Sequence, residues 1–304
     1  MQFLLLTLCL ALLAAARTIT GEIRTAAAAP KEDPPSRRRG VAYNNPPFAN
    51  YFDVMNSGGQ VSWSYNWASR PTEQHTSFEF IPMLWSNQDS STSKWWDSIK
   101  DAGGIFKDNP THLLAFNEPD NCRMGSGGAC MSVSDSVAAW RQHMEPAKTL
   151  KEKMYLGSPA VTNGGTGMGL DWLGQFVKEC AGCNIDFICI HWYDKANNVQ
   201  YFKDHINRAR DVAGGRPIWI TELGPQGTDA EIKFLKKSFL DQVIPWMEDS
   251  GDIHRYAYFM AREGLLVNNQ GTGLSDIGSH FTYWRRANGG FTTKSNSTIV
   301  AAKL

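Results

Sequence analysis

An α/β chain folded as a single (β/α)8 (TIM) barrel is the architecture this sequence predicts, on three observations. Eight short apolar segments recur along the chain, stripes of helical period lie between most of them, and no internal repeat or interior linker divides the stretch from 40 to 304. The segments are RGVAYN (39–44), VSWSYNW (61–67), EFIPMLW (79–85), HLLAFNE (112–118), YLGSPAV (155–161), IDFICIHWY (185–193), PIWITELG (217–224) and RYAYFMA (255–261). Several are apolar on both faces, as strands covered on both sides should be. Between them, Val199, Phe202, Ile206, Ala209 and Ala213 step by three and four and form one apolar stripe, and Ile232, Leu235, Phe239, Val243 and Trp246 form another. Ser134 precedes the run DSVAAWRQHM as its expected N-cap. A doubly wound open sheet is the alternative, but no Gly-rich dinucleotide turn follows the first segment.

The first 39 residues stand apart from this pattern. Phe3 to Ala16 is a continuous apolar run, too short to span a bilayer, with Ala14-Ala15-Ala16 as a cleavage site; residues 1–16 read as a signal peptide. Residues 17–39 are polar, rich in Ala and Pro and without periodicity, and end in Arg37-Arg38-Arg39. Two readings fit this stretch: a pro-segment cut by a secretory protease, or a solvated basic linker. The 265 residues that remain carry 24 Lys and Arg against 27 Asp and Glu, a formal charge of −3. That balance leaves no electrostatic footprint for nucleic acid or for an anionic membrane surface. The expected product is a secreted or cell-wall monomer whose partner carries little charge.

Five cysteines remain once Cys9 leaves with the signal, and an odd number cannot all pair within one chain. Cys189, inside IDFICI, reads as a buried free thiol. Cys122 and Cys130 bracket the Gly-rich RMGSGGA and can close it in an oxidising compartment. Cys180 and Cys183 are left open between a short bridge and free thiols. No second pair is placed to complete a zinc site, so neither metal nor cofactor is expected.

The chemistry is written at two strand ends. In LLAFNEPD an apolar strand runs straight into Asn117 and Glu118, and Pro119 stops it. In PIWITELG the strand ends at Glu222, ahead of Gly224 and Pro225. A barrel presents its chemistry at the C-terminal strand ends, so the fold would bring these two glutamates together across its mouth. Paired carboxylates at a cleft suit glycosidic bond hydrolysis, about 5 Å apart for retention and roughly 6.5–9.5 Å for inversion. Either glutamate alone could instead cap a helix or pair with an arginine; the matching contexts argue for chemistry.

NEP, then HWY, then TELG, within a pattern running from RGVAYN to YAYF, resembles glycoside hydrolase family 128 from about Gly40 to the C-terminus. The resemblance implies a retaining, endo-acting β-1,3-glucanase with Glu118 as general acid/base and Glu222 as nucleophile. One of two close carboxylates would then hold a raised pKa and keep its proton. By the same resemblance Asn117 donates to the sugar 2-hydroxyl and Tyr193 hydrogen-bonds the nucleophile. Alternation puts His191 on the face of Tyr193, with Trp192 opposite; His191 is either a core histidine or a substrate ligand. Trp63, Tyr65, Trp67, Trp85, Trp192, Tyr258 and Phe259 all fall near the expected mouth. Most aromatics are core, and the sugar-facing choices are Trp85 and Phe259, with Asn44 beside them and Tyr258 as second choice. Asn296-Ser297-Thr298 is an N-glycosylation sequon. The rival readings are another retaining barrel glycosidase, on mannan or xylan, and a cell-wall protein that binds β-glucan without turning it over.

Overall fold

The computed structural model describes residues 35–71, 77–100, 111–150, 153–226 and 230–286, of which 230–233 are described in backbone only. The signal peptide, most of the 17–39 stretch and the sequon lie outside the described residues. The elements run β1 (Arg39–Tyr43), α1 (Pro46–Ala49), β2 (Val61–Tyr65), β3 (Glu79–Phe80), α2 (Asp89–Thr92), α3 (Trp95–Lys100), β4 (His112–Asn117), α4 (Val133–Ala139), β5 (Tyr155–Ala160), α5 (Gly169–Glu179), β6 (Ile188–Lys195), α6 (Val199–Ala213), β7 (Ile218–Gln226), α7 (Ala230–Asp249), β8 (Ile253–Ala261) and α8 (Asp276–Tyr283). Every strand ladder is parallel: a six-stranded sheet ordered β3-β2-β1-β8-β7-β6 and a two-stranded sheet β4-β5. The fold is α/β with a mainly parallel sheet. Isolated parallel bridges lie at both margins of the smaller sheet: Met83 with Leu114, and Gly157 with Phe187 and Val161 with Ile190.

The strands are buried almost throughout, as their apolar composition requires. Trp192 lies on the outer side, stacked on Phe239 with centroids 5.2 Å apart and edge-on to Phe202, which joins β6 to the apolar stripes of α6 and α7. The opposite face of β6 carries His191 and Tyr193, as strand alternation requires. Among the described residues no helix is long and apolar enough to cross a membrane.

Four sequence expectations need correction. The seventh segment does not end at Glu222, because β7 runs on through Gly224 and Pro225 to Gln226, still paired with β6. The third segment forms a ladder only over Glu79–Phe80, because Pro82 has no N–H to give; it continues by lending the Pro82 carbonyl to Leu114 N and taking the Leu114 carbonyl at Leu84 N. The second segment stops at Tyr65, and Trp67 adopts a left-handed backbone (φ 58°) that turns it out of the strand. The N-cap of α4 is Ser132, whose hydroxyl accepts from Asp135 N at 3.1 Å, and Ser134 lies within the first turn.

Neither reading of the basic cluster describes Arg38 and Arg39. Arg39 opens β1, is 1 % exposed, and pairs with Val61 on one side and Tyr256 on the other. Its guanidinium donates to Glu248 Oε1 at 2.7 Å, to Tyr256 Oη at 2.9 Å, and to the carbonyls of Phe281 and Trp284 at 2.9 and 2.7 Å. Arg38 donates to the carbonyls of Met247, Ser250 and Ile253 at 3.0, 2.6 and 2.7 Å. A buried guanidinium with its donors filled is a structural clasp. A cut after Arg39 would remove the first residue of the sheet.

At the N-terminal strand ends a polar group is held among rings. Glu79 accepts from Arg255 at 2.7 Å and faces His112 at 3.5 Å, while the Arg255 guanidinium lies 4.6 Å over the Trp219 ring. Burial alone would raise the Glu79 carboxyl, but the hydrogen bond from His112 and the charge of Arg255 outweigh it and hold the group at about 2. A depressed carboxyl stabilises the fold fully above its unfolded value of 4.5, and that contribution fades as pH falls toward about 2. Glu79→Gln is therefore expected to lower Tm at neutral pH and to cost progressively less as pH drops below 4.5. Thermal melts of both proteins across that range check it, and a constant gap at every pH would contradict it.

Candidate active site

β4 delivers Asn117 and Glu118 to its C-terminal end and stops there. Glu118 takes a left-handed backbone (φ 43°), an uncommon conformation for a residue with a side chain, and its N–H is tied to the Ala160 carbonyl at 2.7 Å. Pro119 follows, and the chain folds back so that Ala129 N reaches the Asn117 carbonyl at 2.8 Å. The Cys122–Cys130 disulfide closes this return loop, and Asn117 Nδ2 donates to the Gly127 carbonyl within it at 3.0 Å. Cys180 and Cys183 are also bonded, and Cys189 is a buried free thiol.

β7 brings Glu222 opposite, in register with His191 of β6. The two glutamates are 8 % and 5 % exposed. One oxygen of each and a ring nitrogen of His191 lie within 4.8 Å of one another. Both oxygens of Glu222 are gripped. Oε1 accepts from Trp67 Nε1 at 2.9 Å and faces Tyr65 Oη at 3.5 Å, while Oε2 accepts from the Tyr193 hydroxyl. The left-handed turn at Trp67 is what swings its indole over β7. Gly224 is needed on the same strand, because a Cβ there would lie 2.2 Å from the Tyr193 ring. Burial and the charge of Glu222 push the Tyr193 hydroxyl far above its usual range, so it stays protonated and donates.

His191 is fully buried, with Nδ1 at 2.9 Å from Glu118 Oε1 and 3.4 Å from Glu222 Oε2. Among the described residues its Nε2 has no hydrogen-bond partner. Burial alone would lower the imidazole, but the charge of Glu222, the hydrogen bond and charge of Glu118, and the charge of Asp120 raise it. Burial would likewise raise Glu118, but its hydrogen bond to His191, the His191 charge and the Asn121 amide at 3.0 Å hold it below its ordinary value. The expected raised carboxyl is therefore not found at Glu118. The three groups also have the spacing of a three-ligand metal site, though a cation there would have to displace the 2.9 Å hydrogen bond.

Above these groups opens a cleft of about 860 Å3, lined by Asn44, Trp67, Trp85, Asn117, Glu118, Asn121, Arg123, Thr162, Asn163, Met168, Tyr193, Glu222, Phe259 and Met260 among others. Seven of the eight residues singled out in the sequence line it. His191 does not: it lies beneath the glutamates as a bridge, away from any substrate surface. Tyr258 also turns away, packing on Phe281 with centroids 5.7 Å apart. Trp63 and Tyr65 are buried as core aromatics. Sequence reasoning passed over Trp67, Asn121, Arg123, Asn163 and Met168. An asparagine directly after NEPD was the available signal for Asn121.

Residues 40–281 match the family described as "Glycosyl hydrolase catalytic core". The chain is 29% identical over 256 residues to alkali-sensitive linkage protein 1 of Schizosaccharomyces pombe, covering 80% of this chain and 44% of that protein, so it spans less than half of that relative's length. Among solved structures it resembles a curdlan-specific exo-β-1,3-glucanase of family GH128 from Blastomyces gilchristii, in complex with glucose. Identity is 34%, TM-score 0.69, and coverage 80% of this chain and 97% of that one. It also resembles a GH128 endo-β-1,3-glucanase from Amycolatopsis mediterranei, in complex with laminaritriose, at 27% identity and TM-score 0.63 over 80% and 98% of the two chains. On this match and these relatives, the chain belongs to the glycosyl hydrolase catalytic core family, within glycoside hydrolase family 128.

Proposed function

We propose that this chain is a retaining β-1,3-glucanase in which Glu222 is the nucleophile and Glu118 the general acid/base. The observation that carries the reading is the approach of their carboxylate oxygens to within 4.8 Å, inside a cleft large enough for sugar rings. At about 5 Å no water fits between acid and nucleophile, which leaves direct attack on the sugar carbon. Glu222 attacks the sugar carbon, forming an ester bond as that carbon's bond to the leaving oxygen breaks, and Glu118, protonated for this step, gives its proton to that oxygen. Esterification removes the charge of Glu222. Glu118 then takes a proton from the water that releases the product. Trp67 and Tyr193 hold one oxygen of Glu222 each, which fixes the direction of attack. Asn117 lines the same cleft with Nδ2 given to the Gly127 carbonyl and Oδ1 unpartnered among the described residues, so we assign Oδ1 to accept from the sugar 2-hydroxyl, the reverse of the expected direction.

Substrate class follows from the relatives, which are described as β-1,3-glucanases and were crystallised with glucose and laminari-oligosaccharides. We take the strands to close as one (β/α)8 barrel over residues 40–304, a reading supported by the bridges at both margins of the smaller sheet. Residues 1–16 as a signal peptide, the stretch from 17 up to the Arg38–Arg39 clasp as the segment before the catalytic domain, and a secreted or cell-wall monomer complete the proposal; two disulfides among the described residues suit that compartment. Endo action is the first reading, favoured by the Amycolatopsis relative. Exo action is the second reading, favoured by the Blastomyces relative. Incubation with laminarin, mannan and xylan tests both. The expected result is a ladder of oligosaccharides from laminarin only. Glucose alone would favour the exo reading, cleavage of mannan or xylan instead would reassign the substrate, and no release from any of the three would leave a glucan-binding protein.

A further inference from the structure

The last residue of NEPD takes no part in the chemistry above, yet its carboxylate is almost fully used. Asp120 is buried and accepts from Thr162 N at 3.2 and 3.3 Å, from Thr162 Oγ1 at 2.5 Å and from Gly169 N at 2.8 Å. These bonds draw the chain after β5 into a tight loop that ends at α5. Gly169 is required for it, with φ +54° and a Cβ that would lie 2.7 Å from the Gly164 carbonyl and 2.8 Å from that of Thr162. Gly164 N closes the loop on Thr162 Oγ1 at 3.0 Å.

At the turn of the loop stands Asn163. β5 and β6 are joined as far as Val161, whose carbonyl accepts from His191 N at 2.8 Å. The next backbone pairing would fall between 163 and Tyr193, but Asp120 has already pulled the chain aside. The Asn163 side chain takes its place: Oδ1 accepts from Tyr193 N at 3.1 Å and Nδ2 donates to the Tyr193 carbonyl at 3.0 Å. A planar amide meeting both backbone groups of one residue continues the ladder by one step. The Tyr201 hydroxyl fixes the amide in turn, 3.1 Å from Nδ2. Tyr193, so held, lays its ring over Gly224 and donates to Glu222 Oε2.

We infer that Asn163, locked by Asp120, is a positioning residue for the nucleophile: it acts on Glu222 through the backbone of Tyr193. The inference rests on the proposed role of Glu222. Asn163 also lines the cleft, so a direct sugar contact is the competing account, and the two differ in what they do to Tyr193.

A double-mutant cycle of Asn163→Ala and Tyr193→Phe, read on an activated aryl glucoside, separates them. If Asn163 works through Tyr193, each single change lowers kcat, on the order of 10²-fold for a misplaced reacting group, with little change in KM. Once Tyr193 has lost its hydroxyl, the further loss from Asn163→Ala should shrink to about twofold, the scatter of independent pairs. Additive losses, or a rise in KM alone, would overturn the inference. Asn163→Asp covers the case in which the alanine variant does not fold. It keeps the shape and the acceptor for Tyr193 N but sets a carboxylate against the Tyr193 carbonyl, so it should lose kcat in the same coupled way. A crystal structure of either Asn163 variant reads the geometry whatever the enzyme does: the Tyr193 hydroxyl should leave hydrogen-bond reach of Glu222. If that contact persists, the inference falls even if wild type cleaves glucan. If the contact is lost while wild type releases no sugar, the glucanase reading falls and the positioning role stands.

Discussion

Glu222→Ala is expected to abolish glucan hydrolysis, by on the order of 10⁶ in kcat, the scale of removing a covalent nucleophile. The loss should be the same for natural glucan and for an activated aryl glucoside, because neither can form the glycosyl–enzyme ester. The fold should survive, since Glu222 faces the cleft and the β7 residues on either side of it keep their own ladder pairings. Two donors lose their acceptor, however, Trp67 Nε1 and the Tyr193 hydroxyl, and the His191 ring loses a neighbouring charge 3.4 Å away. Glu222→Gln keeps the shape and one acceptor, so it serves as the check that lost activity is lost chemistry. Steady-state assays of both variants on both substrates, with melting curves alongside, decide the point. Residual hydrolysis within about a hundredfold of wild type would mean that water or another group attacks the sugar.

Glu118→Ala should show a loss that depends on the leaving group. On glucan, general acid assistance is worth about 10²–10⁴, and that much activity should go. An activated aryl group leaves without protonation, so its departure should be nearly as fast as in wild type. The ester would then accumulate, because the water that hydrolyses it has lost its base. Burst kinetics on an aryl glucoside read this directly. His191 sharpens the expectation. The imidazole remains beside Glu222 in this variant, but it is fully buried and has lost its Glu118 partner. Substantial glucan hydrolysis by Glu118→Ala would show that His191 reaches the substrate itself.

The backbone of this account was legible in the sequence. Carboxylates set into apolar runs mark both the strands and the two glutamates, and with the residues added by the family resemblance and by position near the mouth, seven of eight border the cleft. What escaped depends on conformation rather than composition. Trp67 reads as one more strand aromatic, and only its left-handed backbone sends the indole to Glu222. His191 was placed on the correct face, but nothing in HWY says that the ring lies below the surface, between two anions. That position works against a raised carboxyl at Glu118: the hydrogen bond and charge of His191 lower it, while the two glutamates raise the imidazole. Arg38 and Arg39 read as a basic run because charge runs are usually solvated, and the carbonyls that claim them belong to α7, α8 and the loops beside them, some 200 positions downstream. Asn163 carries no signal beyond its type, since the step it completes in the ladder exists only once Asp120 has bent the chain.

The division of labour between two similar glutamates is the centre of the account, and azide tests it most directly. Azide needs no general base, so it can attack the ester that accumulates in Glu118→Ala, and it can occupy the space left by the missing carboxylate in Glu222→Ala. The anomer of each glycosyl azide, read by NMR, reports the face of attack. Two inversions in Glu118→Ala predict the β-azide, and one inversion in Glu222→Ala predicts the α-azide. Reversed anomers would exchange the roles of Glu118 and Glu222, and rescue of neither variant would contradict double displacement at this site.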